Sequence, residues 1–242
     1  MLPVEYGWRA PALHSASRIV AAIGIVVGAL AISLLCYAIV IRSQAEELLK
    51  DLTALTVGKS AEADAQQFTE RHKRLFTSRT CEKDYCVTGF TVRNRWLSAV
   101  RLEPLAEFYA EFTVRNGKVT RIHAKLARSM PIYPTFDASA GLVTERVEYP
   151  PQLAGRQGHY AFPTPIGKPY LYVELDSQAS AVQRKHAFAF SFRCLVKPGW
   201  GCNLSCDYLP LAWQDWKLEL QDSGFPMSDF NEHYPNNARC TP

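Results

Sequence analysis

The chain has 242 residues, of which 48% are hydrophobic and 21% are charged, and its formal net charge is +4 at pH 7. This composition excludes an intrinsically disordered chain, because enough apolar side chains are present to form a buried core. The modest net charge does not indicate a nucleic-acid-binding protein, and we expect no nucleic-acid partner.

An uncharged apolar stretch extends from Ile19 to Ile41 and is bounded by Arg18 and Arg42. A hydrocarbon core of about 30 Å needs about 20 helical residues, so the stretch predicts one transmembrane helix, residues 19–41, held by membrane lipid. A cleaved signal peptide is the nearest alternative. Its apolar region is only about 7 to 15 residues long and ends at a small-residue cleavage site, which is not found here. Residues 1–18 are then a short cytoplasmic tail.

The seven cysteines predict disulfide bonds and, through them, a location. Cys36 lies inside the apolar stretch and is interpreted as a membrane residue. The other six are Cys81, Cys86, Cys194, Cys202, Cys206 and Cys240. Their spacings do not match zinc sites, whereas an even number behind an anchor is typical of disulfides in oxidising compartments. The flanking cations do not decide the orientation, so the cysteines place residues 42–242 outside the cytoplasm.

Two local bridges are candidates: one joins Cys81 to Cys86, and the other lies among Cys194, Cys202 and Cys206. Within the apolar stretch, Gly24 and Gly28 form a G-x-x-x-G step that would let two such helices approach closely. A homodimer paired through these glycines is therefore one hypothesis for the assembly.

Two helices are predicted beyond the apolar stretch. Leucines recur at helical spacing between Ser43 and Val57, and Gly58 occupies the position of a C-terminal cap. Ser60 resembles the N-cap of a second helix that continues to about Leu75. Together, residues 43–75 predict a helical hairpin near the membrane.

The following residues are predicted to form strands. Apolar residues alternate from Tyr85 to Val92, a second apolar run covers Trp96 to Leu102, and Phe108 to Leu126 is a hairpin interrupted by Asn116-Gly117. A two-residue loop would pair Phe112 with Arg121. A three-residue loop pairs Ala110 with Ile122 and Phe108 with Ala124, and it sets Glu111 opposite Arg121. We prefer the three-residue loop, because the buried pattern determines the register.

The outward face of this hairpin carries Tyr109, Glu111, Arg121, His123 and Lys125. Between residues 71 and 128 there are thirteen Lys and Arg but only five acidic residues. Such an excess favours an anionic partner, either lipid head groups or an acidic protein. We expect the contact at Arg121, His123 and Lys125.

A proline-rich insertion covers residues 128–169, and residues 141–149 are predicted to form an edge strand inside it. Strands are also predicted from Tyr170 to Leu175 and from His186 to Val196. In the latter, Phe188, Phe190 and Phe192 are interpreted as a core face. The Cys-rich tail, residues 194–242, is expected to contain a short helix with Trp213 and Trp216.

No motif for catalysis, metal or cofactor binding is present: H-E-x-x-H and G-x-S-x-G are both missing from the sequence. We therefore expect no cofactor and name no catalytic residue. The sequence predicts a disulfide-stabilised α+β domain in which a helical hairpin packs on a mainly antiparallel sheet spanning residues 85–196. The favoured hypothesis is a non-enzymatic binding or scaffold domain of the cell envelope with a protein partner. The alternative is a membrane-tethered hydrolase whose site, under the proline-rich segment, uses His159 or His186.

Overall fold

The fold is α+β and is given by a computed structural model. The structure describes residues 12–100, 105–129, 137–146, 159–161, 171–176, 178–196, 202 and 204–224. The helices are α1 Ala12–Ala54, α2 Glu62–Arg71, α3 Arg95–Ala99, α4 Ala181–Ala187, α5 Arg193–Val196, α6 Ser205–Tyr208 and α7 Pro210–Asp222. The strands are β1 Phe76–Cys81, β2 Tyr85–Arg93, β3 Leu105–Arg115, β4 Lys118–Ser129, β5 Asp137–Arg146, β6 His159–Ala161 and β7 Leu171–Leu175.

One uninterrupted helix, α1, contains both the apolar stretch and the predicted first helix of the hairpin. Its N-terminal part is long and apolar enough to cross a membrane and is not covered by the rest of the protein. The apolar side chains are exposed from Ile19 to Ser33. Leu34, Tyr37 and Ala38 are half-buried, with Tyr37 packed against the core, and Ile41, Ala45 and Leu48 belong to the buried core. The last residue of the apolar stretch is therefore part of the folded domain.

The connection from α1 to α2 differs from the prediction. Gly58 has a left-handed φ of 79°, but it lies four residues beyond the end of α1 and its amide donates to the carbonyl of Val119. Ser60 is not the N-cap of α2, because its hydroxyl accepts from the amide of Thr56. Asp64 accepts from the amide of Ala61 instead, and α2 is followed by a 3-10 turn at Lys73–Leu75.

The seven described strands form one sheet in the order β1-β2-β3-β4-β5-β7-β6. Pairing is antiparallel except between β5 and β7, which run parallel. The predicted edge strand corresponds to β5, and the prediction of an edge is wrong because β5 pairs on both sides, with β4 and with β7. The sheet is thus mixed rather than purely antiparallel.

The β3–β4 hairpin is confirmed, but its predicted register is wrong. The loop has two residues, Asn116 and Gly117, whose φ angles of 51° and 72° match a type I′ turn. The register then shifts by one between the pair Val114–Val119 and the pair Thr113–Arg121, so that Thr120 is the extra residue of a β-bulge. As a result, Phe112 pairs with Ile122, Ala110 with Ala124, Phe108 with Leu126, and Glu111 with His123.

One face of the sheet is covered by helices and forms the core. Phe68 of α2 contacts Phe90 and Phe112 edge to face, and Phe190 and Phe192 make similar contacts with Phe108. The buried state predicted for the latter two and for Phe188 is confirmed. The strand predicted from His186 to Val196 is wrong, because these residues form the end of α4, a turn and α5. The apolar run from Trp96 likewise forms helix α3.

Two disulfides join residues that are close in sequence. Cys81 is bonded to Cys86 across the β1–β2 turn, and Cys194 is bonded to Cys202. Cys206 is also disulfide-bonded. Cys36 is free and exposed on α1, and Cys240 lies outside the described residues.

Candidate functional site

The face of the sheet that points away from the helices carries the residues predicted for partner contact. Strand alternation puts Tyr109, Glu111, Arg121, His123 and Lys125 on this side, opposite the buried phenylalanines. We call these five residues the polar face. In the observed register Tyr109 lies opposite Lys125 and Glu111 opposite His123.

Glu111 is held by two neighbours on the polar face. The Tyr109 hydroxyl donates to its Oε2 at 2.6 Å, and His123 Nδ1 lies 3.4 Å from its Oε1. Burial raises the pKa of Glu111, but the hydrogen bonds to His123 and Tyr109 outweigh that effect, and the pKa lies below its usual value. Burial and the bond to Glu111 both raise the pKa of Tyr109. Glu111 is therefore an anion whose charge is already satisfied inside the protein.

Gly89 makes room for this arrangement. It lies opposite Glu111 in the neighbouring strand, and a Cβ placed there would be 2.7 Å from the Tyr109 hydroxyl and 2.9 Å from the Ser78 hydroxyl. Because any larger residue at this position would collide with the Tyr109 hydroxyl, glycine is needed for Tyr109 to reach Glu111. Ser78, Gly89, Glu111, His123 and Thr144 follow one another across five strands in register.

The two cations of the polar face are Arg121 and Lys125, and the charge of Arg121 helps to lower the pKa of Glu111. Arg121 and Lys125 form no ion pair among the described residues, whereas Glu107, the other acid of β3, is taken by Arg93 at 2.8 Å. Arg121 is exposed on this face, and Lys125 is half-buried.

A groove of about 510 Å³ lies on the helical side, between α1, α4, the turn after α4 and β5. Its apolar lining includes Leu49, Phe188, Phe190 and Phe192. Its charged lining has both signs, namely Glu46, Lys50, Glu145, Arg184 and Lys185. Arg184 Nε donates to Glu145 at 2.8 Å, and burial keeps the pKa of Glu145 above its usual value. The groove can accept an apolar group, but its mixed lining does not select an anion.

Of the two histidines considered for hydrolysis, His186 meets a carboxylate. Its Nδ1 lies 2.9 Å from Oδ2 of Asp215, and this pair joins α4 to α7. The groove is lined by Lys185 and not by His186. His159 lies in β6, in register with Glu174, and its side chain is not among those that the structure describes. Within the described part of the chain, no three His, Cys, Asp or Glu side chains are grouped to hold a metal ion.

The glycines of the predicted helix-pairing step are open to solvent or lipid. No heavy atom lies within 4 Å of a Cβ built at Gly24 or Gly28. Pairing of two chains through this face remains a prediction.

Sequence reasoning found the polar face but missed Gly89 and Ser78. The signal for Gly89 was a lone glycine inside an alternating strand, which indicates a close approach by a neighbour. Ser78 needed the β1–β2 register, which no local pattern gives. Comparison of the chain with protein-family models, with curated proteins and with solved structures gives no match. The geometry of the polar face therefore carries the functional conclusion.

Proposed function

We propose that this chain is a single-pass membrane protein whose extracytoplasmic domain binds an acidic protein partner of the cell envelope through the polar face. The observation that carries the proposal is that Arg121 and Lys125 lie on a face where the acids of β3 are already bonded, Glu107 to Arg93 and Glu111 to Tyr109 and His123. An acidic partner would supply charges complementary to these two cations.

The anchoring part of the proposal is supported by α1. Its N-terminal part has the length and hydropathy of a membrane span and is uncovered, and its C-terminal part is built into the core. The disulfides at Cys81–Cys86 and Cys194–Cys202 support a domain in an oxidising compartment.

Location is tested by labelling intact cells with a membrane-impermeant maleimide, with and without reductant. We expect labelling of the domain only after reduction, and without permeabilisation. Labelling that needs no reductant and occurs only after the membrane is opened would place the domain in the cytoplasm.

Binding is tested by charge reversal. A photo-crosslinking amino acid at Thr113, next to Arg121 on the polar face, should give a discrete adduct in cells. The double variant Arg121→Glu, Lys125→Glu should lose that adduct. The matched control is Lys59→Glu, Arg74→Glu, two exposed cations elsewhere on the domain. An adduct that survives the polar-face reversal contradicts the proposal.

A second candidate, an envelope hydrolase, is favoured by the His186–Asp215 pair, since a histidine oriented by a carboxylate is one part of a nucleophilic triad. Incubation of the full-length protein with a fluorophosphonate probe tests it. Labelling that His186→Ala abolishes would support the hydrolase, and no labelling would count against it.

A further inference from the structure

Helix α3 carries a tryptophan, Trp96, that faces away from the core. Its Leu97 is buried, and Asn94, just before α3, donates to the carbonyl of Leu195 and accepts from the amide of Ala106. These contacts fix which side of α3 faces inward. The opposite side presents Trp96, 67% exposed, and Val100, 49% exposed. Large apolar side chains grouped on one exposed side are typical of a surface that contacts a membrane or another protein.

One hydrogen bond shows the level of α3 along the axis of α1. The hydroxyl of Tyr37, a residue of the apolar stretch, donates to the carbonyl of Arg93 at 3.3 Å. Side chains on a helix point back toward its N-terminus. The carbonyl of Arg93 therefore lies level with Tyr37 or nearer to the middle of the apolar stretch.

For the proposed span, a hydrocarbon core that begins at Ile19 would end at the same level. Twenty residues from Ile19 end at Ala38 and span about 30 Å, which is the thickness of a hydrocarbon core. No spacer separates this point from the domain, because α1 is continuous and Ile41 is already in the core. A domain attached in this way cannot rise from the membrane without bending α1.

We propose that α3 lies in the interface of the membrane that α1 spans, with Trp96 and Val100 inserted between phospholipid head groups and Arg95 near the phosphates. The inference rests on the proposed anchoring. Tryptophan is the side chain that the membrane interface favours, because its apolar ring and its N–H group suit the boundary between tails and water. Arg95 and Arg42 are exposed near the same level, where arginine side chains reach phosphates.

The test uses the full-length chain in phosphatidylcholine vesicles, with Cys36→Ser as the background. Single cysteines at Trp96→Cys and at Val100→Cys, the latter keeping Trp96, carry an environment-sensitive fluorophore. A fluorophore at Leu30→Cys reports whether the apolar stretch lies in the membrane. Lys59→Cys reports the far end of the domain, because Ala54 is sixteen residues beyond Ala38, about 24 Å along the helix. Lipids that carry a spin label at the head group or deep in the acyl chain quench a fluorophore that lies at the same depth.

We expect head-group quenching at positions 96 and 100 to exceed that at position 59 several-fold, and deep quenching at position 30. If position 30 is quenched while 96 and 100 match 59, α3 is not in the membrane although the anchor holds, and only this inference fails. If position 30 is not quenched either, the anchoring fails together with this inference.

Discussion

At the scale of single residues, Glu111 is the anion that organises the polar face. Its side chain is 14% exposed and bonded to Tyr109 and His123. We expect Glu111→Gln to lower the free energy of unfolding by about 1 to 2 kcal/mol at pH 7, the cost of weakening charge-assisted hydrogen bonds. Denaturant unfolding of the full-length protein in detergent, followed by tryptophan fluorescence, measures this loss.

The pH dependence of that loss follows from the direction of the pKa shift. The folded pKa of Glu111 is lower than the ordinary 4.5, so its contribution is fully present above pH 4.5 and disappears as the pH falls through the folded value. The difference between wild type and Glu111→Gln should therefore shrink in acid. A difference that stays constant down to pH 3 would show that the charge of Glu111 does not matter.

Asn94 fixes the segment that leads into α3. It is fully buried, and its two amide atoms bond the backbone of Ala106 and Leu195 at 2.8 and 3.0 Å. Asn94→Ala leaves two buried backbone groups without these partners, at about 1 to 3 kcal/mol each. We expect a loss of roughly 2 to 6 kcal/mol in unfolding free energy, against no change for Gln66→Ala on the exposed side of α2. Equal stability of the two variants would contradict this role.

At the scale of elements, apolar alternation predicted the strands near 85–92, 108–126 and 170–175, because one buried face leaves a period-two pattern. It failed for residues 186–196, where Phe188, Phe190 and Phe192 are buried from a turn between two helices. The N-cap of α4 was the available signal: the hydroxyl of Ser180 accepts from the amide of Gln183, and the Gln183 side chain accepts from the amide of Ser180. Burial alone does not distinguish a strand from a turn.

The hairpin register shows why a correct criterion gave a wrong pairing. Val119 is at an odd position and Ile122, Ala124 and Leu126 are at even positions, yet all four are buried on one face. No regular strand can do this. The change of parity requires one extra residue between Val119 and Ile122, and the bulge at Thr120 provides it. Both registers considered from the sequence assumed a regular ladder.

The bulge at Thr120 can be tested with one deletion and one insertion. Deleting Thr120 leaves Val119, Arg121 and Ile122 in regular alternation, so the pairing of Phe112 with Ile122 persists and the protein stays folded and resistant to protease. Inserting an alanine after Thr120 also restores regular alternation, but it moves Ile122 from Phe112 to Ala110 and shifts the later pairs of β3 and β4 by two residues. The buried side chains that interlock in the present register then no longer match, so this variant should be less stable than the wild type and more sensitive to protease. The opposite outcome for the two variants would reject the bulge as the cause of the register.

At the scale of the whole molecule, the polar face could be predicted from the sequence, whereas the proposed position of the domain at the membrane could not. The face follows from alternation within one hairpin. The position depends on α1 continuing without a break through Arg42, and on Tyr37 reaching Arg93, which is 56 residues away in the chain. Charged residues after an apolar stretch suggest that a helix leaves the membrane, but they do not show whether it also ends there.

Because α1 is uninterrupted, its length determines how far the domain lies from the membrane. We expect a polar seven-residue helical insertion between Val40 and Ile41 to lift the domain by about 10 Å while turning it by only about 20°. The core from Ile41 onward stays intact, but Tyr37 loses its contact with Arg93, so the free energy of unfolding should fall by about 1 kcal/mol. Head-group quenching of a fluorophore at Val100→Cys should fall to the level at Lys59→Cys.

The control places the same insertion between Ser17 and Arg18, before the apolar stretch, where it leaves the height of the domain unchanged. This variant should keep the quenching at position 100. If both insertions leave the quenching intact, the domain is held at the membrane by α3 itself and α1 bends to allow it. If both abolish it, the inserted segment disturbs the anchor. Only a loss confined to the Val40–Ile41 insertion identifies α1 as the rigid element that sets the height of the domain above the membrane.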